Sequence, residues 1–179
     1  SFDDYDDVYV FSKEIKLPTL YLDLTKEEKD KRYSRLITKK FKEYMKNVPS
    51  ERYNEYFEGV KKEVETYKDT GMVDYPLIDY AIVQDAVNNG GLITDTGRGS
   101  AVGYFTNTLC GFSKVDRFTS AIKLYPERFI SKTRILETHS LPDIDLNVGT
   151  PEIFEQAQIN VLGEDHVAPM IAFGTFKKK

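Results

Sequence analysis

Residues 92–109, LITDTGRGSAVGYFTNTL, contain the first of two segments on which the interpretation of this chain depends. The apolar start at 92–94 predicts a short strand, the loop Gly97-Arg98-Gly99-Ser100 follows, and residues 101–109 can continue as a helix. Glycines let backbone approach a ligand closely, and a helix start offers unpaired N–H groups to an anion. The pattern is neither a P-loop nor a Gly-x-Gly-x-x-Gly fingerprint, so an ordinary tight turn is the alternative.

A second signal lies in LPDIDL, residues 141–146, which predicts a strand with Pro142 at its start or on an edge. Residues two apart on a strand share a face, so Asp143 and Asp145 lie about 6.6 Å apart between Cα atoms. Carboxylate pairs of this kind hold Mg²⁺ ions in phosphoryl transfer. The alternative is an exposed edge strand that carries two aspartates by chance. Together with the glycine loop, the pair indicates a nucleotidyltransferase.

Helices precede and follow these two segments. Thr25 and Glu28 form a capping-box pattern that starts a helix reaching about Val48, and Ser50 is expected to cap a second helix that ends at Thr70-Gly71. Three further elements are predicted, a buried helix near 74–88, a helix from 150 to about 161 and a strand at 167–173. The chain is accordingly divided into an extended lead-in (1–24), a helical part (25–90) and a core with the glycine loop and the aspartates (91–179).

Composition excludes several protein classes. The chain has 179 residues, 40% of them hydrophobic, which suits one globular domain. Its single cysteine excludes a disulfide framework, and with only two histidines it excludes a Cys/His zinc cluster. No apolar run is long enough for a membrane span, so we expect neither a membrane location nor a membrane partner. The expected location is cytoplasmic. The net charge of −4 confines any nucleic-acid contact to a local patch.

Four motifs together resemble a known family. They are GRGSAVG (97–103), ERFI (127–130), LPDID (141–145) and IAFGT (171–175), and the segments YKDTGM (67–72) and YPLI (75–78) precede them. In this order and spacing, over about residues 50–176, the chain resembles the palm of C-family DNA polymerases, the bacterial replicative polymerase III alpha subunits. The resemblance implies an α+β fold, the polymerase-beta-like nucleotidyltransferase palm, with a mixed sheet and packed helices, here incomplete.

The resemblance also implies roles for individual residues. Asp143 and Asp145 would be two of three catalytic carboxylates and would hold two Mg²⁺ ions. Arg128 and Arg134 would be candidate phosphate or DNA contacts. The residues expected to bind the incoming nucleotide are Gly97, Arg98, Gly99 and Ser100.

Two positions depart from the family pattern. Thr96 stands where a proline is usual before the glycine loop, and Asn147 follows the aspartates where many members have another acidic residue. The third carboxylate, the thumb and the fingers are expected outside this chain.

The expected function is template-directed DNA polymerisation from dNTPs on primer–template DNA, with this chain as an inactive fragment and partners such as a sliding clamp binding elsewhere. The alternatives are a self-contained nucleotidyltransferase acting on a small acceptor and a non-catalytic interaction module. The 43 positions between Ser100 and Asp143 favour the polymerase over the small-acceptor enzyme.

Overall fold

The computed structural model describes residues 17–138 and 141–169, and these fold mainly into helices. Short 3₁₀ turns lie between or beside the α-helices, among them Ala101–Gly103 and Pro126–Arg128. The α-helices are α1 (Lys26–Tyr44), α2 (Tyr53–Asp69), α3 (Asp74–Asn88), α4 (Phe105–Leu109), α5 (Lys132–Thr138) and α6 (Pro151–Leu162).

The first helix begins as its sequence predicts. The backbone N–H of Glu28 donates to the Thr25 hydroxyl, and the Glu28 carboxylate accepts from the Thr25 N–H, which completes the capping box. The helix buries Tyr33, Ile37 and Phe41, which recur at the spacing of one helix face. It ends at Tyr44 and continues as a 3₁₀ turn, Met45–Asn47, close to the predicted end at Val48.

The second helix begins differently from the prediction. Ser50 does not cap it but starts a 3₁₀ turn, Ser50–Arg52, and α2 follows without a side-chain cap. The predicted end is confirmed, because Thr70 is the last residue before Gly71, whose φ of +69° reverses the chain.

Helices α1, α2 and α4 share an aromatic core. Tyr33 of α1 meets Tyr67 of α2 edge to face at 5.3 Å between ring centroids, and Tyr56 meets Phe105 of α4 at 5.2 Å. The Tyr67 hydroxyl donates to the Asn107 side chain, so its polar end is paired where it is buried. This core supports the glycine loop from behind, because α4 follows the loop after the 3₁₀ turn Ala101–Gly103.

Buried charges fix the segment that follows α4. Glu63 of α2, only 2% exposed, accepts from the Thr106 backbone N–H at 2.8 Å and from the Arg117 guanidinium at 2.8 and 2.9 Å. The neighbouring Asp116 accepts from the hydroxyls of Tyr44 and Tyr56 at 2.9 and 2.6 Å. These bonds tie the chain around Asp116 to α1 and α2.

Helix α3 spans Asp74–Asn88 as predicted and is buried on most sides, with Leu77, Ile82 and Val83 in the core. Helix α6 packs against it, and the Asn160 side chain of α6 donates to Asp85 of α3 at 2.9 Å. Helix α6 covers the predicted range of 150 to about 161.

The expected α+β palm with a mixed sheet is wrong for the described residues. Their β-structure consists of one isolated antiparallel bridge, between Ile93 and Val148, and the predicted strands at 92–94 and 141–146 are absent. Pro142 has no N–H to donate to a neighbouring strand, and the Ile144 N–H donates to a side chain instead. A sheet needs several mutually paired strands, and these short stretches pair at one point only.

The remaining sequence predictions concern the strand at 167–173, the division of the chain and the absence of a membrane span. The predicted strand at 167–173 is not formed at 167–169, and the rest of it lies outside the described residues. The division into 1–24, 25–90 and 91–179 stays a prediction. Within residues 17–138 and 141–169, none of the helices combines the length and the apolarity that crossing a bilayer requires.

Candidate functional site

The two segments singled out by sequence lie side by side. The Ile93–Val148 bridge joins them, and the Thr94 N–H donates to the Asn147 carbonyl at 2.9 Å. The Leu92 N–H adds a bond to the Thr150 hydroxyl at 3.1 Å, across 58 positions of sequence. The structure therefore brings the glycine loop, which follows residue 96, next to the aspartates, which precede residue 147.

The two departures from the family pattern contact each other. The Asn147 side-chain amide donates to the Thr96 carbonyl at 3.3 Å and also hydrogen-bonds the Thr96 hydroxyl. The Thr96 hydroxyl lies 3.1 Å from that of Thr94. A proline at position 96 would lack this hydroxyl, so Thr96 and Asn147 act here as a matched pair that fastens the base of the loop.

Gly99 lies directly against the carboxylate of Asp145. Its φ is +66°, and a Cβ added to it would come within 3.3 Å of the Asp145 Cγ and closer still to one carboxylate oxygen. A side chain at this position would be strained by the backbone and would also push the carboxylate away. The site therefore requires glycine at position 99.

Asp143 and Asp145 are both exposed, and neither forms an ion pair or hydrogen bond with another described residue. Exposed carboxylate oxygens without a cationic partner suit Mg²⁺, which often binds through one or two carboxylates together with substrate phosphates and water. No cluster of three or more metal-ligating side chains occurs within residues 17–138 and 141–169. The pair fits a metal site that further ligands would complete.

Tyr75 of α3 contacts the backbone between these aspartates. The Ile144 N–H donates to the Tyr75 hydroxyl at 3.0 Å. Burial raises the pKa of Tyr75 to about 12, and the negative charges of Asp143 and Asp145 contribute in the same direction.

A cavity of about 330 Å³ opens beside the glycine loop. Its other wall is formed by residues between Lys123 and Arg128. Close to this wall, the Tyr104 hydroxyl donates to the Ile130 carbonyl at 3.1 Å. Gly103 allows the close approach, since a Cβ there would lie 3.1 Å from the Tyr125 carbonyl oxygen. The polar or charged side chains lining the cavity are those of Ser100, Lys123, Tyr125 and Arg128.

The remaining predicted site residues are placed less centrally. A Cβ at Gly97 would clash with the side chains of Val102 and Val115 at 2.6 and 2.7 Å, so the lack of a side chain at this position allows the loop to pack against them. Arg98 is exposed and forms no ion pair with a described residue. The backbone of Arg134 belongs to α5, which does not line the cavity, and its side chain lies outside the described part of the structure.

The continuous helix predicted at residues 101–109 is not formed, and its dipole was the expected source of anion binding at the loop. The loop leads into a three-residue 3₁₀ turn, Ala101–Gly103, and then into α4, which is only five residues long. Tyr104 interrupts the helix with extended backbone, φ −100° and ψ 117°. A short interrupted helix has a weak dipole, so anion binding at this loop depends on side chains and individual N–H groups.

Sequence reasoning missed Tyr75, Lys123 and Tyr125 as site residues. Tyr75 carried no chemical signal beyond its place in the YPLI segment, because its partner is a backbone amide 69 positions away. Lys123 and Tyr125 lie in a stretch without periodicity, and a lysine close before the ERFI motif was the available sign.

Comparison with known proteins shows the family to which the chain belongs. Residues 23–179 match the family model described as the bacterial DNA polymerase III alpha NTPase domain. The chain belongs to the DNA polymerase III alpha family.

Similar curated proteins carry the name DNA polymerase III subunit alpha. That of Chlamydia trachomatis serovar D is 37% identical over 112 residues, or 61% of this chain and 8% of the relative. That of Mycobacterium leprae is 31% identical over 131 residues, 70% of this chain and 10% of the relative. That of Campylobacter jejuni is 25% identical over 174 residues, 96% of this chain and 14% of the relative. The chain thus spans a small part of the polymerase III alpha relatives it matches.

Proposed function

We propose that this chain forms part of the nucleotidyl-transfer site of a template-directed DNA polymerase, which joins dNTPs to a primer 3′-hydroxyl. Membership of the polymerase III alpha family supports the reaction. The observation that supports the proposal for these residues is the contact of Gly99 with the Asp145 carboxylate, because the cavity beside Gly99 is large enough for several phosphate groups and Asp145 is one of the two carboxylates proposed to hold metal.

Asp143 and Asp145 would hold Mg²⁺ through their exposed carboxylates. Two Mg²⁺ ions bound in such a site would activate the primer hydroxyl and neutralise charge on the triphosphate and the leaving pyrophosphate. Without a cation the two carboxylates repel each other, and they would also repel an incoming triphosphate.

Side chains around the cavity would bind and orient the triphosphate. Ser100 offers a hydroxyl donor, and Lys123 and Arg128 bring positive charge to the opposite wall. Arg98, on the exposed tip of the loop, and Arg134 would contact phosphates or DNA from outside the cavity. Their contribution is placement and charge, with no covalent step on the protein.

The complete reaction would need more than this chain. A third carboxylate and the segments that grip primer–template DNA would come from the remainder of the polymerase, and a sliding clamp would also bind there. The isolated chain is therefore expected to bind metal and nucleotide without extending a primer. Primer extension by the purified 179-residue chain would refute its role as a fragment.

The test is a Mn²⁺ titration of the chain, followed by electron paramagnetic resonance, with and without dATP. The unsubstituted chain is expected to bind Mn²⁺, and more tightly when dATP is present. The double variant Asp143→Asn/Asp145→Asn is expected to lose this binding. A matched control, Glu164→Gln/Asp165→Asn, removes the same charge from an exposed turn and should bind as the unsubstituted chain does.

Either of two results would contradict the proposal: no Mn²⁺ binding by the unsubstituted chain, or equal binding by the Asp143→Asn/Asp145→Asn variant. Both would favour a non-catalytic interaction module. Transfer of a nucleotide to a small acceptor by the chain alone would instead favour a self-contained nucleotidyltransferase.

A further inference from the structure

The segment that carries the two aspartates has little regular backbone pairing. Its isolated bridge is at Val148, beyond the aspartates, and Pro142 before them has no N–H. In a sheet, the amide of Ile144 would donate to a carbonyl of a neighbouring strand. Here it donates to the Tyr75 hydroxyl at 3.0 Å, so a side chain takes the place of that strand.

Tyr75 can serve as a fixed point because its helix start is anchored. The preceding residue, Asp74, accepts from the Thr19 hydroxyl at 2.6 Å and from the Lys29 ammonium at 3.0 Å. The Tyr75 N–H donates to the Met72 carbonyl at 3.2 Å, and the next turn of α3 is buried. The phenol ring therefore projects from a part of the molecule that is held on several sides.

We propose that Tyr75 is a positioning residue, which holds the Asp143-Ile144-Asp145 backbone in place by accepting the Ile144 hydrogen bond. Because Ile144 lies between the two aspartates, fixing its peptide group restricts the directions in which the side chains of both aspartates can point. This role rests on the proposed metal-binding function of the pair.

The chemistry of a phenol suits this task. A hydroxyl accepts an N–H bond while keeping its own proton as a donor. A phenol is neutral near neutral pH, and burial raises the pKa of Tyr75 further, to about 12, so the contact does not change over the pH range in which a polymerase would work. Phenylalanine would fill the same space and would leave the Ile144 amide without its partner.

The experiment compares Tyr75→Phe with Tyr80→Phe, in the full chain. Tyr80 lies on the same helix and its ring contacts Lys40, so removing its hydroxyl is a control for the loss of a phenol oxygen. The first readout is hydrogen exchange of the Ile144 amide, measured by NMR. The second is Mn²⁺ affinity.

In Tyr75→Phe we expect the Ile144 amide to exchange about tenfold faster, from the usual worth of one hydrogen bond. We expect Mn²⁺ affinity to fall about tenfold, the lower end of the range typical of groups that orient metal ligands. Tyr80→Phe should leave both values unchanged. Both variants are checked by thermal melting, so that a loss of folding is not read as a loss of positioning.

The outcomes separate this role from the proposed function. Absence of Mn²⁺ binding by the unsubstituted chain overturns both. Mn²⁺ binding that is equal in Tyr75→Phe and the unsubstituted chain overturns the positioning role alone, as does unchanged Ile144 exchange. If Tyr75→Phe does not fold, the unsubstituted chain supplies the test: Ile144 must exchange more slowly than Asp145, whose amide bonds to no described residue, and equal rates overturn the proposal.

Discussion

Replacing Arg117 with methionine tests whether the buried ion pair with Glu63 holds the segment after α4. The guanidinium lies 2.8 Å from one Glu63 carboxylate oxygen, and the two side chains are 14% and 2% exposed. Methionine keeps much of the length and apolar volume of the side chain but removes the charge, and with it the guanidinium that lies 4.1 Å from the centre of the Phe118 ring. Glu63 would then keep its bond from the Thr106 N–H and lose its cation.

Removing one partner of a buried pair costs about 3–5 kcal/mol, since the remaining charge is left without compensation. We therefore expect Arg117→Met to lower the free energy of unfolding by about 3–5 kcal/mol near neutral pH. The surface pair of Lys62 and Glu127 is 74% and 59% exposed. Its matched variant, Lys62→Met, should cost about 1 kcal/mol or less.

The cost of Arg117→Met should depend on pH. Burial raises the pKa of Glu63 above its usual 4.5, and the charge of Arg117 opposes that rise. Without Arg117 the pKa of Glu63 rises further, so the folded variant takes up a proton that the unfolded chain still lacks. Its free energy of unfolding should therefore increase as the pH falls through that raised pKa toward 4.5, and it should do so more steeply than in the unsubstituted chain.

Urea unfolding at several pH values between about 5 and 8 measures this, with tyrosine fluorescence and circular dichroism as probes because the chain has no tryptophan. A loss below about 1 kcal/mol at neutral pH would show that the pair does not anchor the segment. A loss that stays constant as the pH is lowered would refute the assignment of the cost to an uncompensated Glu63 charge.

Three further predictions use the same measurements. Gly99→Ala should lower the free energy of unfolding more than Gly71→Ala and should also weaken Mn²⁺ binding. Both glycines have positive φ, but only Gly99 faces a carboxylate, that of Asp145. Equal losses would show that contact between the new methyl group and Asp145 is unimportant. Burial raises the pKa of Asp79 from 3.8 to about 7, so the free energy of unfolding should increase as the pH falls from about 8 to 4. Asp79→Asn should abolish this increase, and an unchanged pH profile would contradict the prediction. Tyr56→Phe should cost about 1.5–3 kcal/mol, the worth of a hydrogen bond to a charged group such as Asp116, and a loss under 0.5 kcal/mol would show that this bond contributes little.

The helices were predictable because their signals are local. The Thr25–Glu28 cap lies within one turn, and Gly71 ends α2 directly where the periodic pattern stops. The buried helix Asp74–Asn88 was predicted close to its bounds, since its many apolar residues are followed by the glycine pair at 90–91. The residues of the glycine loop and the aspartates were selected by their chemistry, and the structure brings Gly99 and Asp145 into contact.

The sheet was predicted wrongly because strand pairing is not a local property. The alternation in residues 141–146 is that of a strand, but no short-range signal shows that the Ile144 amide has a phenol as its partner. For the same reason the wall of the cavity escaped prediction. Lys123 and Tyr125 line the cavity because the Tyr125 backbone approaches Gly103, a contact that depends on how the whole chain folds.

The isolated bridge between Ile93 and Val148 has a consequence for the order of folding. It closes a long loop of chain with few bonds, and the entropy lost in closing such a loop must be repaid by the contacts it makes. The aromatic core of α1 and α2 is formed by helices that are adjacent in sequence, so it can form first. We therefore expect the glycine loop and the aspartates to meet late in folding, on a scaffold that is already assembled, and to separate early when the chain unfolds.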